Sequence, residues 1–209
     1  MFVRDIMTRN PVSIRPDASL AELLRVMADK TFEAIPVRDD GKVIGIVTDW
    51  DIVMNTPKVT GGDYLSKTKV RDIMTHNVVT VTGDEIVEMA AFHMYFHDMD
   101  ALPVVDKNGE LIAIVTQNDV FRTLVGLMGL RAQGTRVTVE GPDEAGMLAE
   151  VTGIVRDAGI SIASLSTFTP PGSDTMTAIL RLKTDDVRQL VESLSSRGFR
   201  VVHVSKAWQ

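Results

Sequence analysis

The sequence predicts an α+β protein with two copies of a strand–helix–strand–strand–helix unit, followed by a different unit of order βαββαβ. Two observations support this prediction. A motif recurs at a fixed offset within the first 127 residues, and apolar residues recur at helical and strand spacing along the whole chain. We place the two copies at residues 1–60 and 61–127, a linker at 128–135 and the last unit at 136–209.

The repeat is visible directly in the residues. Val3–Thr8 and Val70–Thr75 both read Val-Arg-Asp-Ile-Met-Thr. The offset of 67 residues extends to the Ala-x-Pro-Val segments at 34–37 and 101–104, and one inserted turn residue then makes the offset 68. Self-similarity at a fixed offset indicates two copies of one supersecondary unit that pack together.

Local patterns predict the elements of each copy. Ser19 and Glu22 have the spacing of a capping box, so a helix should begin there. The apolar stripe of this helix is Leu20, Leu23, Leu24 and Met27. The matching stripe of the second copy is Val87, Ala90, Ala91 and Met94. Two strands follow in each copy, and a second helix should begin near Thr48 and near Thr116.

The remaining unit shows a different order. The segment before it contains Gly126, Gly129 and Gly134, and glycines at this density are typical of a linker. Strands are predicted at 136–140, 160–168, 175–183 and 199–204. The first helix has the apolar stripe Leu148, Val151, Ile154 and Val155, and it should end near Gly159. The second helix has the apolar stripe Val187, Leu190, Val191 and Leu194, and it should end near Gly198. This is the ferredoxin-like order.

Composition narrows the function. The net charge is −6, and residues 1–130 account for all of it, so neither half offers the basic face that a phosphate backbone requires. We therefore expect no nucleic-acid partner. No apolar run approaches the roughly 20 residues that span a bilayer, and the first residues do not resemble a secretory signal. We expect a soluble, cytoplasmic protein without a membrane partner.

The repeat motifs resemble the cystathionine-β-synthase (CBS) domain, and the two copies together resemble a Bateman module over about residues 1–127. The motifs are Asp-Ile-Met-Thr, Ala-x-Pro-Val and Gly/Ala-x-x-Thr-x-x-Asp, and each is present twice. The resemblance implies a regulatory protein that binds AMP, ADP, ATP or S-adenosylmethionine between its repeats. No cofactor and no metal are expected. No catalytic residue is expected either, because the sequence contains no nucleophile–base–acid set.

Residues 135–209 resemble an ACT domain, through their topology and the segments 146–148 and 159–162. This resemblance implies dimerisation and an amino acid or small acid as ligand. The implied ligand-binding residues are Gly146, Met147, Leu148, Ser161 and Ile162. The order of a CBS pair and an ACT domain resembles acetoin-utilisation-type CBS–ACT proteins. We expect a homodimer or larger assembly that responds to a small-molecule effector and acts on a protein target.

The Thr48–Asp51 and Thr116–Asp119 pairs have two interpretations. A threonine at the N-cap with an acid three residues later caps a helix. The same helix start suits a phosphate, and a carboxylate there can accept bonds from ribose hydroxyls. The CBS resemblance assigns ribose to the two aspartates. It also assigns ligand contacts to Thr8, Val12, Ala34 and Pro36, and to their counterparts Thr75, Val79, Ala101 and Pro103.

Two features bear on the choice of ligand. Glu33 and Asp100 precede the Ala-x-Pro-Val strands, and an acid beside a polyphosphate is repulsive. This disfavours ATP and favours a monophosphate or adenosyl compound, unless Arg9 or His76 compensates. Gly45 becomes Ala113 in the second copy, and we expect the added methyl to crowd a nucleotide, which makes the Thr48–Asp51 site the tighter one.

Two alternatives stay open. The first is a ligand-free dimeric scaffold or interaction protein in which the Thr–Asp pairs only cap helices. The second is a metal-dependent enzyme built on His93 and His97, which lie four residues apart on a predicted helix. The residue after His93 is Met94, where a zincin would have its general-base glutamate.

Overall fold

The computed structural model describes residues 1–30, 33–55 and 63–206. It divides into two compact units, residues 1–121 and 122–209. The part of the chain that it describes contains no helix that is long and apolar enough to cross a membrane. The elements up to the end of the second copy are β1 Thr8–Arg9, α1 Leu20–Lys30, β2 Ala34–Asp39, β3 Lys42–Thr48, α2 Asp49–Asn55, α3 Tyr64–Lys67, β4 Thr75–His76, β5 Val81–Thr82, α4 Val87–His97, β6 Ala101–Val105, β7 Leu111–Thr116 and α5 Gln117–Leu127.

The predicted start of α1 is confirmed by its hydrogen bonds. The Glu22 carboxylate accepts bonds from the Ser19 amide at 2.7 Å and from the Ser19 hydroxyl at 2.9 Å. The Glu22 amide donates to the Ser19 hydroxyl in return at 3.3 Å, which completes the capping box. The predicted stripe residues of α1 and α4 lie in or against the apolar cores, so helical spacing identified the buried faces correctly.

The two copies exchange their first strands. Strand β1 of the first copy pairs with β7 of the second, with Thr8 opposite Ile114. Strand β4 of the second copy pairs in the same way with β3 of the first, with Thr75 opposite Ile46. The resulting sheets have the strand orders β1-β7-β6-β5 and β2-β3-β4. Each sheet therefore contains strands from both sequence copies.

The apolar cores follow the same exchange. Val70, Ile73 and Met74 belong to the second copy, yet they pack into the core of the first. Val3 belongs to the first copy and is fully buried in the core of the second. The repeated Val-Arg-Asp-Ile-Met-Thr motif thus joins the copies, because each motif completes the core of the other.

The C-terminal unit has the predicted βαββαβ order. Its elements are β8 Thr135–Pro142, α6 Met147–Asp157, β9 Ile162–Phe168, β10 Thr175–Leu182, α7 Arg188–Ser196 and β11 Arg200–Lys206. The antiparallel sheet has the order β11-β8-β10-β9. Alternate strand residues such as Val137 and Leu180 face a core that α6 and α7 complete. Gly159 and Gly198 follow the two helices with φ values of +70° and +87°, as expected for C-terminal caps.

The glycine-rich segment before this unit differs in part from the prediction. Gly126 lies inside α5, which runs to Leu127, because a single glycine near a helix end is tolerated. Gly129 and Gly134 have φ values of +66° and +128°. A Cβ atom at residue 134 would overlap the Leu182 carbonyl oxygen, so only glycine fits where the chain enters β8.

Candidate functional site

Both predicted Thr–Asp pairs form complete capping boxes. Asp51 Oδ2 accepts bonds from the Thr48 amide and hydroxyl, both at 2.8 Å, and the Asp51 amide donates to the Thr48 hydroxyl at 3.1 Å. The second pair repeats this arrangement, with Asp119 Oδ2 at 3.0 and 2.7 Å from the Thr116 amide nitrogen and hydroxyl. All carboxylate bonds within the two boxes go to Oδ2, so the boxes do not use Oδ1 of either aspartate.

The first candidate site gathers residues from both copies. Ala34 lies opposite Thr48 and Pro36 lies opposite Ile46 in the β2–β3 pair. On the other side of β3, Ile46 pairs with Thr75 of the second copy. The strand exchange therefore places Thr75 on the strand next to Thr48, and Thr75 is exposed.

The second candidate site is built in the same way. Ala101 lies opposite Thr116 and Pro103 lies opposite Ile114 in the β6–β7 pair. Ile114 also pairs with Thr8 of the first copy, and Thr8 is exposed. No signal in a single sequence shows that each of these threonines joins the Thr–Asp pair of the other copy.

The remaining predicted contacts flank these sites. Val12 and Val79 are half-buried and lie outside the strands. Val12 precedes the Ile14 bridge to β2, and Val79 precedes β5, so each lies next to the sheet that carries one Thr–Asp pair. A separate apolar cluster of Ile46, Ala101 and Ile114 joins the two copies.

The two acids that bear on ligand choice are held beside the helix starts. The Glu33 carbonyl accepts a bond from the Asp49 amide at 3.1 Å, and the Asp100 carbonyl accepts one from the Gln117 amide at 2.8 Å. The side chains of both acids are exposed. Arg9 and His76, the residues considered as compensating cations, are exposed and pair with Ala113 and Gly45.

The expectation that Ala113 crowds a ligand is wrong. Ala113 is fully buried in the apolar core of the second copy. At the matching position a Cβ atom on Gly45 would lie 2.8 Å from the Thr75 carbonyl oxygen and 2.9 Å from Met74 Sδ. Strand side chains alternate between the two faces of a sheet, so residues 45 and 113 face the core while Thr48 and Thr116 do not. This position therefore gives no reason for unequal sites.

The residues implied by the ACT resemblance lie around the start of α6 and of β9. Gly146 is the N-cap of α6 with φ +104°, and a Cβ atom there would meet nothing within 4 Å. Met147 is buried in the core, and Leu148 and Ile162 pack against that core. Ser161 is exposed, and its carbonyl accepts a bond from the Lys183 amide at 2.9 Å.

His93 and His97 stack on α4 with ring centroids 6.0 Å apart. His93 Nε2 is 3.5 Å from Glu85 Oε1. Within residues 1–30, 33–55 and 63–206, no three His, Cys, Asp or Glu side chains are grouped so that they could hold a metal ion. Within these ranges, no third side chain joins the two histidines as the further protein ligand that a zinc site requires.

Family models match both parts of the chain. The CBS domain model matches residues 3–56 and 70–126, and the ACT domain model matches residues 135–199. Among curated relatives, a homoserine O-acetyltransferase of Methanohalobium evestigatum is 38% identical over 124 residues, which are 59% of this chain and 24% of that protein. The chain thus spans only about a quarter of such relatives.

Solved structures resemble the CBS part. The CBS domain pair of protein MJ0100, in complex with 5′-methylthioadenosine and S-adenosyl-L-methionine, is 30% identical with a TM-score of 0.54, covering 60% of this chain and 97% of that one. CBSX2 in complex with AMP is 29% identical with a TM-score of 0.53, at the same coverages of 60% and 97%.

An acetoin utilization protein, AcuB, of Vibrio cholerae is 25% identical with a TM-score of 0.54, over 63% of this chain and 95% of that chain. The match to the CBS model extends over both sequence copies and more than half of the chain. The chain therefore belongs to the CBS-domain family, as a CBS pair followed by an ACT domain.

Proposed function

We propose that this chain is a non-enzymatic, ligand-sensing regulatory protein, and that its CBS pair binds an adenosyl compound or adenine nucleotide between the repeats. One observation carries the proposal. Two equivalent helix starts each present a Thr–Asp pair, and each has an exposed threonine from the other repeat on the neighbouring strand. This brings carboxylate oxygens and threonine hydroxyls together beside each helix start, and these groups suit the ribose hydroxyls and the phosphate of a nucleotide.

The proposed contacts divide into two sets. In the first, Asp51 binds the ribose hydroxyls through Oδ1 while Oδ2 keeps its bonds to Thr48. Thr75 lies towards the phosphate of a nucleotide, or towards the group that replaces the phosphate in an adenosyl compound. In the second, Asp119, Thr116 and Thr8 have the same roles. The adenine ring lies against the backbone near Val12 or Val79 and beside the Ala-x-Pro segments, which are Ala34 with Pro36 and Ala101 with Pro103.

Charge favours ligands with few phosphates. Glu33 and Asp100 lie one residue before the Ala-x-Pro segments, and their backbones bond to the helix starts. A polyphosphate beside these carboxylates would be repelled, whereas an adenosyl compound would not. The relatives that contain S-adenosyl-L-methionine, 5′-methylthioadenosine and AMP agree with this preference. We therefore rank S-adenosylmethionine and AMP above ADP, and ADP above ATP.

Isothermal titration calorimetry of the full chain with these four ligands and 5′-methylthioadenosine tests the proposal. We expect at least one to bind with a micromolar dissociation constant, about −8 kcal/mol. If none binds more tightly than about 1 mM, the ligand-free scaffold is the better description. That alternative has its own support, because both capping boxes are complete without a ligand.

We also propose that the protein self-associates. Helix α2 exposes Trp50, Val53 and Met54, each more than 60% accessible. Phe121 of α5, the counterpart of Val53, is 68% exposed. Apolar side chains repeated on equivalent helices are typical of an interface. Light scattering should give a dimer or larger mass, and Val53→Asp with Phe121→Asp should lower it; a monomeric mass for the unaltered protein contradicts the proposal.

The ACT domain has a separate proposed role as an amino-acid or small-acid sensor. The open backbone at Gly146 and the exposed Ser161 leave room for such a ligand beside α6. We propose that ligands on this domain and on the CBS pair regulate a protein target. No catalytic role is proposed, because the 124 residues that match the curated homoserine O-acetyltransferase are only 24% of that enzyme.

A further inference from the structure

One face of the ACT sheet carries two arginines directly opposite each other. Arg181 of β10 pairs with Arg136 of β8, while Ser164 and Ser205 are the next residues outward on β9 and β11. The neighbouring residues along these strands, such as Leu182, face the core under α6 and α7. Because strand side chains alternate between faces, this row of four lies on the face that the helices do not cover.

In the part of the chain that the structure describes, this pair of cations has no counter-charge. Like charges directly opposite in an antiparallel pair destabilise a sheet. Among the described residues no acidic side chain forms an ion pair with either arginine, and Glu140, further along β8, pairs with Arg200 instead. Arg136 donates one hydrogen bond, from Nη1 to the Thr138 hydroxyl at 2.6 Å.

Arg181 is the more unusual member of the pair. It is only 6% exposed, and its buried Nε–H has no hydrogen-bond partner among the described residues. A buried charge is costly unless an opposite charge and hydrogen bonds compensate it, and most buried polar groups in proteins have partners. The core side of the sheet cannot provide compensation, since it is apolar.

A cavity of about 240 Å³ lies over this row. Arg136, Arg181 and Lys206 line it with the side chains of several serines, and Met128 with Leu130 close one side. The Ser164 hydroxyl fixes that wall by donating to the Met128 carbonyl at 2.8 Å. The segment expected from sequence to be a linker is therefore part of a built cavity.

Glycine at position 129 allows this wall to approach the sheet. Gly129 is buried with φ +66°. A Cβ atom there would lie 2.7 Å from Ser164 Oγ and 3.2 Å from Arg181 Cδ. A side chain at this position would push the segment away from Arg181, so the enclosure of the guanidinium depends on this glycine.

We propose that this cavity binds the anionic group, carboxylate or phosphate, of a small molecule, with Arg181 and Arg136 as its principal contacts. Guanidinium groups bind both anions through paired, charge-assisted N–H bonds, and Lys206 and the serine hydroxyls add donors. The volume is below the range usual for drug-sized ligands, so a small metabolite fits and a nucleotide does not. The site is distinct from the residues at the start of α6 that the ACT resemblance implies, and it does not depend on the CBS proposal.

Calorimetric titration of the full chain with sodium phosphate and with sodium succinate, at ionic strength held constant with sodium chloride, tests the proposal. We expect saturable binding of at least one probe with a dissociation constant below about 1 mM. The two probes distinguish a phosphate from a carboxylate ligand. Arg181→Met and Arg136→Met should each weaken that binding by about tenfold or more, because each removes a charged hydrogen-bond donor.

Arg156→Met is the matched control, since Arg156 is exposed on α6 and pairs with Asp157. It should leave binding unchanged. In chloride alone, Arg181→Met should not lower the thermal midpoint, because it removes an unpartnered buried charge; an arginine that served only the fold would lower it. The proposal is overturned if neither probe binds, or if a folded Arg181→Met or Arg136→Met variant binds the probe as tightly as the unaltered protein.

Discussion

The CBS pair and the ACT domain differ in how they accommodate charged side chains. In the CBS pair, the carboxylates of Asp51 and Asp119 each accept two hydrogen bonds from the threonine three residues earlier. In the ACT domain, Arg181 is buried with an unpartnered Nε–H and faces Arg136 across two strands. A satisfied carboxylate serves the fold with or without a ligand, whereas an unpartnered guanidinium is a cost that the fold does not offset.

Because of this difference, a change in stability has a different meaning at each of the two candidate sites. For a capping aspartate, a loss of stability says nothing about ligand binding, since the cap alone explains it. For an arginine without partners, a substitution that leaves the stability unchanged shows that the side chain does not serve the fold. Variants that affect only one of the two domains therefore test this difference between the CBS pair and the ACT domain most directly.

The largest effect on stability is expected for Gly134→Ala in the ACT domain. The backbone there has φ +128°, and a Cβ atom would overlap the Leu182 carbonyl oxygen. We expect a loss of about 3 kcal/mol or more in the free energy of unfolding of this domain, measured by calorimetry. Binding of an adenosyl ligand to the CBS pair should persist.

Gly172→Ala is the control for that variant. Its φ is +78°, yet a Cβ atom would meet nothing within 4 Å, so the cost should be only about 1–2 kcal/mol. Equal losses in the two variants would show that steric overlap at residue 134 is not the dominant effect.

A smaller effect is expected from exchanging residue types between the CBS repeats. Gly45→Ala brings a methyl group within 2.8 Å of the Thr75 carbonyl oxygen and should cost about 1–3 kcal/mol in urea denaturation. Ala113→Gly should cost about 0.5–1 kcal/mol and leave adenosyl affinity unchanged, because this methyl group faces the core. A tighter complex in Ala113→Gly would mean that the methyl group reaches the ligand after all.

The smallest effect concerns acid stability of the ACT domain. Hydrogen bonds from the Arg188 side chain and amide lower the pKa of Asp186 from 3.8 to about 2. A lowered pKa means that the stabilisation is present above the unfolded value of 3.8 and is lost as the pH falls towards about 2. Asp186→Asn should therefore flatten the decrease in thermal midpoint over this interval.

Asp185→Asn provides the comparison for that experiment, since it removes an adjacent exposed carboxylate. Its curve of thermal midpoint against pH should keep the slope of the unaltered protein. Parallel curves for all three proteins would contradict the role given to the Asp186–Arg188 pair.

Local features of the fold could be predicted from sequence. The helical stripes, the Ser19–Glu22 capping box and the βαββαβ order depend on neighbouring residues, and the structure confirms them. The exchange of β1 and β4 could not be predicted, because Val3–Thr8 and Val70–Thr75 are identical. Either copy of the motif could pair with either sheet as far as its own residues indicate.

The two candidate sites also differ in whether the sequence predicts them. The Thr–Asp pairs were visible because both members lie within one helical turn. The Arg136–Arg181 pair was not, since its members are 45 residues apart and meet only through the register of β8 and β10. Cross-strand register depends on turns and core packing along the whole sheet, which single-sequence patterns do not specify.

The central claim is that Asp51 and Asp119 bind ribose as well as cap helices. The most direct measurement is the affinity for an adenosyl ligand in Asp51→Asn and Asp119→Asn, with thermal unfolding recorded in parallel. Glu22→Gln is the matched control, because Ser19 and Glu22 form the same capping box away from the candidate sites. All three variants should lose a few tenths to about 1 kcal/mol of stability. Only the aspartate variants should lose affinity, by about 1.5–3 kcal/mol at each occupied site. Unchanged affinity in both aspartate variants, with the stability loss seen in Glu22→Gln, would contradict the claim and leave these residues as helix caps.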